Sequence, residues 1–166
     1  MSDALRHAVA PQHYDALTTQ GIMWGVAVAT LPALGWGVYQ YGLPAALVLI
    51  VTLVTALLCE MIFSALLRRG SVSDGNGIMI ALLLAATMPP ATPLHVVAAS
   101  TFFALAVVKW TFGGTGAYWV NPVAAGYAFA VVSYPGFGND WLLPRTLGGS
   151  GTGTIAPLQL LEGATV

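Results

Sequence analysis

The chain has very few charged residues. Asp, Glu, Lys and Arg together make up only 7% of its 166 residues, whereas a soluble domain carries about 25%. Hydrophobic residues account for 57% of the chain. So few charges cannot cover the surface of a soluble domain of this length, and the composition therefore indicates an integral membrane protein.

Other scarcities exclude further classes of protein. Five basic residues against six acidic ones leave no clustered basic face, so we expect no nucleic-acid partner. The single cysteine, Cys59, lies in an apolar run and is interpreted as a buried structural thiol. The three histidines have no metal-ligand spacing, and we expect no metal. The sequence shows no Ser/His/Asp set, paired carboxylates or Cys-x-x-Cys, so any chemistry would belong to a cofactor.

Apolar segments predict the fold class. A spanning helix needs about 20 apolar residues, and residues 21–42, 43–67 and 93–110 are interpreted as spans. Two shorter stretches, 77–90 and 121–135, are bounded by prolines and are either half-helices or tilted spans. We predict an all-α integral membrane protein with about five transmembrane segments. Helices broken at membrane depth are tolerated where they line a cavity, which indicates a binding or conduction site.

Basic residues near span ends predict the orientation, because they favour the cytoplasm. Four of them fall on one side if the segment 77–90 crosses: Arg6, Arg68, Arg69 and Lys109. The prediction is a polar cytoplasmic segment at 1–20, a transmembrane domain at 21–135 and an exterior, periplasmic tail at 136–166. That tail is rich in Gly, Thr and Pro and is interpreted as mobile or ordered by a partner; Arg145 within it is an exception to the rule.

Glu60 is the one acidic residue deep inside a predicted span. Its carboxylate either reaches water, pairs with another helix, or contributes to an ion or proton path. A second polar feature, "SVSDGNG" at 71–77, is typical of a helix N-terminus, with Ser73, Asp74 or Asn76 as the cap. Asp74 would complement the positive end of the helix dipole. This half-helix start is either a capping turn only or a site that faces an anion or cofactor.

The stretch "KWTFGGTGAYWVNP", residues 109–122, interrupts two apolar runs. Its glycines, Gly113 and Gly114 among them, predict a tight turn, and Asn121 followed by Pro122 predicts a capped helix start. Three aromatic residues of this stretch are interpreted as anchors at the membrane surface, with stacking on a ring as the alternative: Trp110, Tyr118 and Trp119.

Taken in order, several segments resemble the RnfD/NqrB family of membrane subunits of ion-pumping electron-transport complexes. The resemblance covers about residues 21–141 and rests on "ATMPP", on "KWTFGGTG" and on "NPVAAG". It implies a fold with two similar halves of about five spans each, of which this chain would be one half. It also implies bacterial inner-membrane localisation and other membrane subunits as partners. Candidate cofactor-binding residues are Asp74, Lys109, Gly113, Gly114 and Asn121.

The family resemblance also implies a flavin. Members attach FMN to a threonine in an exterior pattern close to Asp-x-x-Ser-Gly-Ala-Thr. Here the chain ends in "LQLLEGATV", so Gly163, Ala164 and Thr165 match, whereas Glu162 replaces the serine. Covalent FMN at Thr165 is one expectation, and a short tail packed against a partner is the other.

Three functions follow from these observations. The first is a subunit of a multi-protein redox complex, with the flavin and the coupling to ion movement that the resemblance implies, either as an electron carrier or as a non-catalytic subunit. The second is a redox-silent assembly subunit. The third is a small transporter or channel formed by dimerisation. Glu60 as the sole deep acid disfavours the independent transporter, and small residues along the spans favour a chain packed against others.

Overall fold

The computed structural model describes residues 18–67, 75–137, 141–142 and 154–155. Within these ranges the chain forms a bundle of apolar helices and one short pair of strands. Two helices are long and apolar enough to cross a membrane. The predicted all-α class is therefore confirmed for the helical part of the chain.

The first two helices form a hairpin. Helix α1 spans Thr19–Tyr41 and helix α2 spans Leu43–Leu67. Thr18 caps α1 by accepting a hydrogen bond from the backbone N–H of Gly21 at 3.1 Å. Gly42 separates the helices with a positive φ of 68°, which lets the chain reverse within one residue. Both segments match the predicted spans to within two residues.

Two helices of the bundle are short. Helix α3 spans Asn76–Thr87 and helix α5 spans Pro122–Ser133, with 12 residues each. At 1.5 Å per residue each is about 18 Å long, well short of a hydrocarbon core of about 30 Å. Of the two alternatives for the short apolar stretches, these lengths favour half-helices. Asn121 caps α5, as predicted, by accepting a hydrogen bond from the N–H of Val123 at 2.9 Å.

The helix between the two half-helices changes its winding midway. Helix α4 spans Leu94–Phe102 and continues as a π-helix over Phe103–Trp110. The helical rod thus covers the segment 93–110 that the sequence predicts as a span, but the sequence does not indicate the π-helical winding of its second half. The wide turns continue at its end, where Gly114 N–H donates to the carbonyl of Lys109 at 3.0 Å, five residues back. π-helical turns are rare and frequent at functional sites.

Helix α3 lies at the centre of the bundle. It packs against α1, α2 and α5, while the rod of α4 and the π-helix packs against α2 and α5. Its inward side chains Ile80 and Leu84 are fully buried, together with Leu105 of the π-helix. The half-helix α3 is thus enclosed by its neighbours, whereas α5 buries only three of its 12 residues. This arrangement keeps the N-terminal end of α3 inside protein, where residues 75–77 are buried and free backbone groups can find partners.

A small sheet follows the helices. Strand β1, Trp141–Leu142, pairs antiparallel with strand β2, Thr154–Ile155. The rest of the segment predicted as an exterior tail lies outside the described residues, apart from 136–137. The predicted division of the chain into three regions therefore stays a prediction.

The contact between α5 and its neighbours depends on Gly126. A Cβ atom at this position would lie 3.0 Å from the Cβ of Ala104, 3.0 Å from the carbonyl oxygen of Ser100 and 3.4 Å from Leu84.

We predict that Gly126→Val lowers the stability of the bundle by about 1–3 kcal/mol through overpacking. The measurement is thermal unfolding in detergent. Ala128→Val, on an exposed position of the same helix, is the control, and equal melting of the two variants would show that the close approach is unimportant.

Candidate functional site: a buried ion pair

The site centres on an ion pair between two helices. The Nζ of Lys109, in the π-helix, donates a hydrogen bond to Oε1 of Glu60 in α2. Glu60 is 4% exposed and Lys109 is 2% exposed. The structure thus adopts one of the alternatives that the sequence left open for Glu60, pairing with another helix. Whether Glu60 belongs to an ion path stays a prediction.

Burial makes this pair energetically sensitive. Removing two charges from water costs several kcal/mol per ion. The attraction between the two ions offsets this cost only when their hydrogen-bond geometry is good. Loss of either partner leaves the other charge uncompensated in the interior. Lys109 is therefore a buried charge, although it lies in the last turn of the π-helix, at the end of the segment where the sequence places it.

The first turn of α3 adjoins the carboxylate. A Cβ atom at Gly77 would lie 2.6 Å from Cγ and 2.7 Å from Cδ of Glu60. Only a residue without a side chain leaves room for the carboxyl group at this place. The N-terminal turn of a helix carries partial positive charge. Glu60 is thus flanked by the ammonium of Lys109 and by the positive end of α3, and both attract the negative charge of a carboxylate.

Aromatic rings cover the other side of the pair. Lys109 Nζ lies 5.4 Å from the ring centroid of Trp110, within the range of a cation–π contact. Trp110 stacks on Phe63 of α2 with ring centroids 6.1 Å apart. Trp110 is only 5% exposed, so its predicted role as an anchor at the membrane surface is wrong. Trp119, at 77% exposed, remains compatible with that role.

The start of α3 differs from the prediction. Its N-cap is Gly75, with φ of 71° and no side-chain cap, so the prediction that named Asn76 among the capping residues is wrong for that residue. Asn76 is the first helical residue and donates from Nδ2 to Oγ1 of Thr115 at 3.1 Å. Its Oδ1 is buried and has no hydrogen-bond partner among the described residues. Gly75 is required here, because a Cβ would lie 2.7 Å from Nε1 of Trp24.

The predicted glycine turn is present. Gly113, Gly114 and Gly116 have φ of 113°, 94° and 86°, a region that residues with side chains rarely adopt. The turn follows the π-helix directly, and Thr115 within it joins the turn to α3. Asn121 lies beyond this turn and lines a cavity of about 330 Å³ together with Tyr118 and Trp119.

The structure brings only some of the predicted site residues together. Glu60, Lys109 and the glycine turn share one end of the bundle, whereas Asn121 acts as a helix cap. Several residues that the sequence analysis singled out lie outside the described ranges: Arg6, Arg68, Arg69, Ser73, Asp74, Arg145 and Thr165. Two of the three histidines, His7 and His13, also lie outside them. His95 is exposed and contacts the ring of Tyr134 at 5.8 Å between centroids. Among the described residues no group of three or more His, Cys, Asp or Glu could hold a metal.

Sequence reasoning missed three members of the site. Gly77, Phe63 and Trp110 each touch the ion pair or its partners, yet the sequence pattern places them in apolar, capping or membrane-surface roles. One signal could have found the pair itself. Two isolated opposite charges inside apolar runs are costly unless they meet, and Glu60 and Lys109 are such charges.

The described part of the chain has five apolar helical segments, two of them half-helices, and a buried ion pair between α2 and the π-helix. This architecture is consistent with the class of all-α membrane proteins that contain broken helices. Within that class, the chain belongs to the NQR2, RnfD, RnfE family, whose model matches residues 6–165. The resemblance drawn from the sequence is thereby confirmed.

Relatives of the chain are named as subunits of redox complexes. It is 30% identical over 164 residues to a subunit of the ion-translocating oxidoreductase complex of Shewanella amazonensis, covering 97% of this chain and 47% of that protein. It is 32% identical over 142 residues to a subunit of the proton-translocating ferredoxin:NAD(+) oxidoreductase complex of Clostridium ljungdahlii, covering 85% and 43%. The chain spans less than half the length of these curated relatives.

The contact at Gly77 generates a testable prediction. Gly77→Ala places a methyl group against the Glu60 side chain and must push the carboxylate away from Lys109. We expect a loss of stability of about 1–3 kcal/mol, as for other overpacked positions. The measurement is the unfolding midpoint of the purified protein.

Gly25→Ala is the matched control for this substitution. Gly25 lies in helix α1, and a Cβ there meets nothing within 4 Å. The control is expected to be neutral or stabilising by up to about 1 kcal/mol, because alanine favours helix more than glycine does. If Gly77→Ala behaved like this control, the carboxylate would not be confined by α3.

Proposed function

We propose that this chain is a membrane-embedded subunit of an ion-translocating electron-transport complex, and that Glu60 and Lys109 take part in its ion path. The observation that carries the proposal is the buried Glu60–Lys109 pair at the start of a half-helix. The family adds support, because relatives of this chain are named as subunits of ion-translocating and proton-translocating oxidoreductase complexes.

The chemistry of the pair suits ion movement better than stability alone. Ionisable side chains inside membrane segments are expensive and commonly belong to ion or proton pathways. A pair of apolar residues of similar volume would serve packing at least as well. The π-helix that carries Lys109 also points to function, because it gives up regular α-helical bonding at the place where the ammonium meets the carboxylate.

The exposed surface supports a proposal for the partners and the location. Large apolar side chains are exposed along α1 and α2, including Trp36, Ile50 and Ile62. Such a surface suits lipid and neighbouring membrane subunits. We propose the bacterial inner membrane as the location, with the N-terminus cytoplasmic and the C-terminal tail periplasmic. In this orientation the C-terminal end of α2 and the glycine turn face the cytoplasm.

An assembly role is the second candidate, favoured by the same exposed faces. A redox-silent subunit would hold neighbouring helices in place through α1 and α2 without moving an ion. The two functions differ in what the ion pair does: assembly needs the bundle to remain intact, whereas ion translocation needs Glu60 to exchange its partner.

Glu60→Gln tests the ion path. The amide keeps the size of the side chain and removes its charge, so we expect electron transfer by the reconstituted complex to drive about tenfold less ion uptake, or less still. Because Lys109 alone would be a buried unpaired charge, the variant is measured beside the double variant Glu60→Gln/Lys109→Met. The double variant should co-purify with the redox subunits and still fail to move ions.

Asp15→Asn, in the polar N-terminal segment, is the control for loss of one acidic charge and should leave ion uptake unchanged. Normal ion uptake by an assembled Glu60→Gln complex would contradict the ion path. It would favour the assembly role.

Covalent FMN at Thr165 stays a prediction, because the residue lies outside the described part of the chain. We propose it on the partial match of the C-terminal sequence to the flavin pattern. Thr165→Ala should remove flavin fluorescence from this chain on a denaturing gel, with a matching loss in intact mass. Thr152→Ala is the control, and fluorescence that persists in Thr165→Ala would place the flavin elsewhere.

A further inference from the structure

A cavity opens at the same end of the bundle as the ion pair. It has a volume of about 450 Å³ and is lined by Leu66 and Leu67 of α2 and by Trp110, Thr111 and Gly113. It therefore lies between the C-terminal ends of α2 and of the π-helix. The ion pair belongs to the same two elements, because Glu60 precedes Leu66 on α2 and Lys109 directly precedes Trp110.

The stacked rings of Phe63 and Trp110 lie next to both the cavity and the ion pair in the order of residues along the two elements. Along α2, residues three or four apart share a face, so Phe63 follows Cys59 and Glu60 on one side and precedes Leu66 and Leu67 on the other. On the π-helix, Trp110 lines the cavity and directly follows Lys109. Along both elements the stacked residues therefore come between the ion pair and the other residues that line the cavity.

The indole of Trp110 carries a second observation. Its Nε1 is buried and has no hydrogen-bond partner among the described residues, although buried indole N–H groups usually have one. With the rings stacked this donor therefore stays unsatisfied, and a movement of the indole that let water reach it would relieve that cost. The face of the same ring lies 5.4 Å from Lys109 Nζ, so a movement of the indole would also remove a contact from the ammonium.

We propose that this cavity is the aqueous mouth of the ion path and that the Phe63–Trp110 stack is its gate. The occupant of the mouth is water with its dissolved ions. When the rings separate, water reaches the Glu60–Lys109 pair, and when they stack, the pair is sealed. The role of this gate in ion movement depends on the proposed function. The opening of the gate can be measured without any ion transport.

Cys59 provides a native reporter, because it is the chain's one cysteine and is 3% exposed. The probe is sulfonatoethyl methanethiosulfonate, which is anionic and reaches thiols from water only. In the assembled complex we expect slow modification of wild-type Cys59, measured by the mass of the chain over time. Trp110→Ala and Phe63→Ala should each speed the modification about tenfold or more, as expected when a local opening becomes easier.

Two controls separate gating from general loosening. Trp36→Ala removes an exposed tryptophan from α1 and should leave the rate of modification unchanged. Trp110→Phe keeps a ring against Phe63 and should remain close to wild type. If Trp110→Ala assembles and its Cys59 reacts as slowly as in the wild type, or if Trp36→Ala accelerates the reaction equally, the gate is refuted.

The outcomes for gate and function are distinguishable. Faster modification of Cys59 in Trp110→Ala, together with normal ion uptake in Glu60→Gln, would support the gated aqueous mouth. It would also show that this mouth does not serve an ion path through Glu60. Slow modification with defective ion uptake in Glu60→Gln would keep the ion path and overturn this gate.

Discussion

The rest of the structure depends on one constraint: two opposite charges lie inside an apolar bundle and must stay together. Glu60 belongs to α2 and Lys109 to the π-helix, and their contact joins these two elements. Because an unpaired buried charge is costly, the packing around the pair has little freedom. Gly77 must be small, Trp110 must turn inward, and α3 must begin beside the carboxylate.

The half-helix α3 places its N-terminal end beside the carboxylate of Glu60. A full-length α3 would run its backbone past Glu60 with every N–H already bonded, and no positive helix end would meet the carboxylate. By starting at Asn76 the helix presents its N-terminus inside the protein. The glycine turn after the π-helix completes the enclosure, since Thr115 bonds to Asn76. Charge, broken helix and turn thus form one unit at one end of the bundle.

Much of the fold can be predicted from the sequence, and the site only in part. The bounds of α1, α2 and α5 follow from apolar length, glycine and Asn-Pro, which are local signals. The π-helix has no such signal, because its residues 103–110 are as apolar as those of an α-helix. The partner of Glu60 lies 49 residues away, and local patterns do not report on contacts at that separation. Trp110 was misplaced because an aromatic residue beside a lysine at a span end is typical of the membrane surface.

The measurement that tests this account most directly is a double-mutant cycle on the stability of the pair. Glu60→Gln, Lys109→Met and the double variant are compared with the wild type by their unfolding free energies in the same detergent. The account predicts that each single variant loses about 3–5 kcal/mol, as expected for half of a buried pair, and that the double variant loses far less than their sum. Additive losses would contradict it, because they would show that Glu60 and Lys109 contribute independently and that their contact constrains nothing.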